Sequence, residues 1–167
     1  MTTLTERPVI AIDPGPEQSA WVRYDPKALR ITDKGIEANH DLRDHLQFNG
    51  RGDDTLAVEM VQSFGMPVGA EVFETVLWTG RFVEAWGGPW AKVYRKDVKL
   101  HLCGSFRAKD PNIRRALLDR FPATGGGKTP QVGTKAQPGP LYGVKSHLWS
   151  ALAVAITAAE FAPEEAP

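Results

Sequence analysis

Four consecutive apolar residues, Val9-Ile10-Ala11-Ile12, end abruptly at Asp13-Pro14-Gly15-Pro16. A run this short, bounded by Pro8 and by a Pro/Gly cluster, reads as a buried strand with an aspartate at its carboxyl end. A carboxylate there costs desolvation energy unless something positive meets it. A metal ion would supply that charge. A turn cap through the Asp13 side chain is the alternative, and it is common before Pro-Gly. Two other stretches bear on the choice: Val58-Glu59-Met60 and the run from Ser146-His147-Leu148-Trp149-Ser150 into Ala151-Leu152-Ala153-Val154-Ala155.

With 167 residues, 42% of them hydrophobic, the chain can bury one core and is most simply a single domain, 1–167. No apolar run is long enough to span a bilayer, and Met1-Thr2-Thr3-Leu4-Thr5-Glu6-Arg7 lacks the basic-then-apolar pattern of a secretory signal, so the expected location is the cytoplasm. The single Cys103 has no partner for an internal disulfide or a cysteine metal site and is expected to act as a small hydrophobe. Twenty basic and twenty acidic residues cancel, but their distribution is uneven. Residues 92–120 hold nine basic side chains, among them Lys96, Lys99, Arg107 and Lys109, against three acidic ones, Asp97, Asp110 and Asp119. That excess is either a solvated helical surface or a footprint for nucleic-acid phosphate.

In chain order, residues 19–24 read as a second strand ended by Asp25-Pro26, and residues 28–36 as a third, with Leu29 and Ile31 pointing inward. Turns this short make the three an antiparallel meander. Residues 38–48 form a helix with Leu42 and Leu46 on one face, ended by Asn49-Gly50-Arg51-Gly52. A strand at 55–60 follows that helix and is therefore expected to run parallel to the first. Residues 62–67 form a loop with Phe64 and Met66 at its tip, and residues 68–86 a long helix in which Gly80 would mark a close helix contact. A short strand at 90–94 precedes a basic helix from 95 to about 102 and a second helix at 110–121, which Asp110-Pro111 would open.

Residues 122–143 show no periodicity and hold six glycines and four prolines, which predicts a long mobile loop. Thr124-Gly125-Gly126-Gly127-Lys128-Thr129 invites comparison with a phosphate-binding loop, but Pro122 stands where the first glycine belongs and a helix precedes it instead of a strand. An alanine-rich helix from about 144 to 161 closes the chain.

Three strands, then helix, strand, helix, strand, helix is the order of the ribonuclease H-like fold: a mixed five-stranded sheet with helices on both faces. Ile12-Asp13-Pro14-Gly15, Val58-Glu59-Met60, the segment Asp97-Val98-Lys99-Leu100-His101-Leu102-Cys103-Gly104-Ser105 and the tail from His147 to Ile156, taken in order, resemble RuvC, the Holliday junction resolvase family. The resemblance spans nearly the whole chain. It implies a homodimeric endonuclease that cuts four-way DNA junctions symmetrically with divalent metal, Mg2+ or Mn2+, two ions per site. Carried over by position, Asp13, Glu59 and His147 are the implied ligands. Lys99 and Lys109 are the implied phosphate contacts near the scissile bond, with Lys96, Arg107 and Lys145 as further DNA-binding candidates, and Phe64 is the implied aromatic wedge at the junction centre. A compact chain with a long glycine loop would suit a bacteriophage version acting in the host cytoplasm.

The last helix departs from the family pattern. Three residues after His147, where the family places an aspartate, stands Ser150, a poor metal ligand. Three readings follow: a site working with Asp13, Glu59, His147 and water; a carboxylate supplied from elsewhere, Asp97 or Asp110; or a branched-DNA-binding protein without cleavage. A ribonuclease H-like hydrolase of RNA–DNA hybrids would share the fold and the metal chemistry.

Overall fold

A computed structural model of the chain describes residues 6–49 and 52–161. The elements run β1 (Val9–Asp13), β2 (Gln18–Asp25), β3 (Arg30–Ala38), α1 (Asn39–Asn49), β4 (Thr55–Met60), α2 (Ala70–Trp86), β5 (Trp90–Tyr94), α3 (Arg95–Cys103), α4 (Asp110–Leu118) and α5 (Leu148–Glu160). The sheet order is β3-β2-β1-β4-β5. β3, β2 and β1 form the expected antiparallel meander, while β4 and β5 extend it in parallel from β1. Most of the stretch read for a secretory signal, residues 1–5, lies outside the described residues, as do Gly50 and Arg51 of the expected stop after α1.

The period of two along the strands splits the core into two layers. Ile10, Ile12, Leu56 and Val58 face α1 and α2, where they meet Leu42, Leu46, Trp78, Phe82 and Trp86. Val9, Ala11, Ala57 and Val93 face the other way, against α5 with α3 and α4. β1 is buried on both faces, which is why it reads as an unbroken apolar run and not an alternating one. α5 is buried all round from Ala151 to Ala159, and its alanines let the helix backbone approach the sheet closely.

Several expectations need correction. Leu29 lies in the turn before β3, 60% exposed and with φ 52°, because the Asp25 carboxylate accepts the N–H groups of Lys27 and Ala28 and folds residues 25–29 back on themselves. Ile31 does pack against the core. Gly80 marks no contact within the chain, since a Cβ there would meet nothing. Lys109, not Asp110, caps α4, with Asn112 Oδ1 accepting the Lys109 N–H at 2.9 Å. α5 begins at Leu148, and Gly143 and Ser146 turn the chain into it with φ of 81° and 50°.

The expected mobile loop, 122–143, is instead tied to itself. Gly125 N–H donates to Pro130 O at 2.8 Å, Gly126 N–H to Gln137 O at 2.9 Å and Leu141 N–H to Gln131 O at 2.8 Å. Gly125, Gly133 and Gly139 meet so closely that a Cβ on Gly125 would lie 2.7 Å from Gly133 Cα and from Gly139 N. Glycine is required here for close approach of backbone to backbone, an aperiodic device that hydrophobic patterning does not reveal.

Thr157 Oγ1 is the one buried side-chain nitrogen or oxygen among the described residues that lacks a hydrogen-bond partner. Thr157→Val, nearly isosteric, removes that unmet group and is expected to raise stability by about 1 kcal/mol in chemical denaturation. Gly139→Ala is expected to act in the opposite direction by more than about 1 kcal/mol, measured in the same way.

Candidate active site

The parity that builds the core also builds the site. Val9 and Ala11 face α5, so Asp13, two residues on, faces α5 as well; Ala57 does, so Glu59 does. The parallel register pairs Ile12 with Val58, which sets Asp13 beside Glu59 at the carboxyl ends of neighbouring strands. Strands in a sheet lie about 4.8 Å apart, so the two carboxylates cannot avoid each other. β5 continues the row: Glu59 pairs with Val93, which faces α5, and Arg95 follows two residues later as the first residue of α3.

The turn behind Asp13 is held by a buried clamp. Ser19 Oγ accepts the Gly15 N–H at 3.1 Å and donates to Asn39 Oδ1 at 2.6 Å, while Asn39 Nδ2 donates to Gly15 O at 2.9 Å. From the other side α5 brings His147, whose Nδ1 lies 2.9 Å from Asp13 Oδ2. The residue before it, Ser146, sits in the left-handed region, a conformation that costs energy for a non-glycine residue and that sets the direction from which His147 enters.

The carboxyl side chains are 16% exposed for Asp13 and 17% for Glu59. Burial pushes the Asp13 pKa up, opposed by the hydrogen bond and charge of His147 and by the charge of Arg95. Glu59 is pushed up to about 7, by burial first and by the neighbouring Asp13 charge second, with Arg95 again opposing. The Arg95 guanidinium provides the local counter-charge: Nη1 lies 3.9 Å from Glu59 Oε1 and Nη2 pairs with Asp110 Oδ1.

Asp13, Glu59, Met60, Gln62, Phe64 and Arg95 line a cleft of about 220 Å³. Phe64 stands at its lip, 79% exposed, and is not folded back on the core. Two buried carboxylates with raised pKa and a single cationic neighbour fit a hard divalent ion, for which Asp13 and Glu59 would be the oxygen ligands and His147 the nitrogen ligand. Among the described residues, however, no group of three or more His, Cys, Asp or Glu side chains is already arranged around one point. Asp13 touches the other two separately.

None of the remaining sequence-predicted basic residues lines this cleft. Lys96 is exposed on α3, with Nζ 5.7 Å from the Tyr94 ring, and Lys99 is half-buried one turn on. Lys99 forms no ion pair with Asp13 or Glu59, and the cation beside them is Arg95. Arg107, Lys109 and Lys145 are exposed. Ser150 lines an adjacent cavity of about 360 Å³ together with Arg95, Asp110, Arg114 and Trp149. Asp97 lines neither cavity, whereas Asp110 is close enough for its charge to act on Glu59. Arg95 was hidden in the basic run; the signal that finds it is its parity with Val93, read once β5 is known to lie beside β4.

Among the described residues no helix is long and apolar enough to cross a membrane. No family model and no curated protein matches the sequence. Solved structures do match. Thermus thermophilus RuvC in complex with a Holliday junction substrate superposes with a TM-score of 0.67 at 19% identity, covering 93% of this chain and 94% of that one. A second Thermus thermophilus RuvC structure gives 0.59 at 22% identity, covering 93% and 95%. From strand order to last helix, the chain has the ribonuclease H-like fold of RuvC.

Proposed function

We propose that the chain is a divalent-metal-dependent, structure-selective DNA endonuclease that resolves Holliday junctions and other branched DNA by phosphodiester hydrolysis. The observation that carries this reading is the pair of buried carboxylates, Asp13 and Glu59, side by side on adjacent parallel strand ends with His147 on Asp13. Holding two carboxylates side by side in a shielded strand end costs energy that a bound cation would offset. Asp13, Glu59 and His147 would hold the ion, which when bound supplies an activated water and charge neutralisation at phosphorus. The protein aligns the phosphate: Lys96, Lys99, Arg107, Lys109 and Lys145 contribute positive charge without base readout. Phe64, at the lip of the cleft, is suited to stack on a base unpaired at the junction centre.

Symmetric cutting needs two sites facing one junction, and α2 offers a surface for a second copy of this chain. Phe73, Val76 and Leu77 are 65%, 37% and 57% exposed, and Gly80 continues that stripe with open space above it. Trp78 and Phe82, two further large apolar residues of α2, are core residues and leave the stripe narrow. The glycine lets a partner helix approach it.

With a labelled immobile four-way junction and Mg2+ or Mn2+, paired nicks are expected that vanish with chelator and with Asp13→Asn. Junction binding without nicks in either metal would leave a binding protein, one of the readings that Ser150 allows, and preferential cutting of RNA–DNA hybrids would move the activity to a ribonuclease.

The metal-free protein should lose thermal stability as pH rises. Glu59 has a folded pKa of about 7 against an ordinary 4.5, so its contribution is complete below the lower value and is lost as pH passes the upper one. Differential scanning fluorimetry without metal should show a Tm falling between about pH 5 and pH 8 in the wild type and a flatter profile in Glu59→Gln.

Leu77→Glu is expected to turn a dimer into a monomer in light scattering while leaving the Tm within a few degrees, because the side chain is exposed in the single chain.

A further inference from the structure

We infer that Arg95 takes the place of a second divalent ion in this site: its guanidinium, held by Asp110 beside Ser150, meets phosphate charge from the side on which α5 offers no carboxylate. The inference rests on the nuclease reading above.

Arg95 stands in the wall between two cavities. One holds Asp13, Glu59 and Phe64; the other holds Ser150, Asp110 and Trp149. Any ion lying between Glu59 and Ser150 would therefore lie against a fixed positive charge. It would also find few ligands, since Ser150 presents a neutral hydroxyl and the Asp110 carboxylate is engaged by Arg95 Nη2. Where α5 presents the neutral Ser150, the same cavity is lined by a cation, Arg95.

The guanidinium is suited to the task. Its side chain is 31% exposed, so it reaches solvent and a bound strand. Asp110 holds one arm of the fork, and the other arm, Nη1, is 3.9 Å from Glu59 Oε1, beyond hydrogen-bond length and free to donate to a phosphate oxygen. A planar fork matches two phosphate oxygens. In hydrolysis a water oxygen bonds to phosphorus as the phosphorus–oxygen bond to the leaving sugar breaks. The leaving oxygen takes a proton from solvent and the attacking water releases one to solvent. Arg95 gives up no proton; it balances the charge that develops on the phosphate and the leaving oxygen.

The experiment is a Mn2+ titration of the full chain, followed by calorimetry or by electron paramagnetic resonance of free Mn2+, on wild type, Asp13→Asn, Arg95→Ala and Arg95→Lys. It is paired with single-turnover nicking of the four-way junction. The expected result is a single Mn2+ per wild-type chain and none for Asp13→Asn. Arg95→Ala should keep the single site with unchanged or tighter affinity, its nicking rate at saturating junction falling about 10²–10³-fold, with partial recovery in Arg95→Lys. Two Mn2+ per wild-type chain, wild-type nicking by Arg95→Ala, or loss of the Mn2+ site in Arg95→Ala would each overturn the inference and leave the nuclease reading standing. No Mn2+ bound and no nicks by the wild type would overturn that reading itself, and the inference with it.

Discussion

Asp13 and Glu59 cannot move apart. Backbone hydrogen bonds between β1 and β4 fix their spacing, and the strands are pinned on both faces by packed helices. The repulsion between two shielded carboxylates is therefore built into the sheet, and the surrounding parts make it tolerable. A raised pKa lets Glu59 carry the proton, His147 hydrogen-bonds to Asp13, and Arg95 brings a full positive charge from the end of the next strand. Each of these responses uses a different element: β4, α5 and the junction of β5 with α3. Sheet register thus sets the electrostatics of the site.

The positions of the parts follow from packing. α5 delivers His147 to the carboxylates because its alanine-rich body lies flat on β1 and β2, close enough for its first turn to overhang the end of β1. A bulkier helix would stand further from the sheet and carry His147 out of reach of Asp13. The Ser19–Asn39–Gly15 clamp does the matching task from below, holding the Pro14-Gly15-Pro16 turn so that the strand end stays open towards α5. Both depend on small residues at close contacts, a cheap way to gain precision because short side chains have little freedom to lose.

Much of this could be read from the residues alone, for reasons that differ from one element to the next. Helical periodicity made α1 and α2 recognisable, short bounded apolar runs did the same for β1 and β4, and a carboxylate closing an apolar strand drew attention to Asp13 and Glu59. Resemblance, not pattern, supplied His147. Leu29 was hidden because an Asp-Pro turn extended further than its proline suggests. The order within residues 122–143 was hidden because it rests on glycine backbones meeting across eight and fourteen residues, with no apolar period to announce them. Arg95 was hidden by company: among so many basic residues only strand adjacency distinguishes it. In general the misses are facts about which segments touch, and the successes are facts about which face a segment buries.

The burial of α5 also bears on how the molecule is made. It is the last of the described elements in chain order and the one that covers the whole α5-facing layer of the sheet, including Ala11, Ala57 and Val93. While a ribosome is still extending the chain, α3 and α4 can cover only the β5 side of that layer, and the part that lies under α5 stays bare. β1 to β5 can pair and the α1–α2 side can close, but the nascent protein remains half-finished, with an apolar sheet face open to chaperones. His147 arrives with the same segment. Completion of the core and completion of the carboxylate site are therefore one event, reached only when the nascent chain stops being sticky.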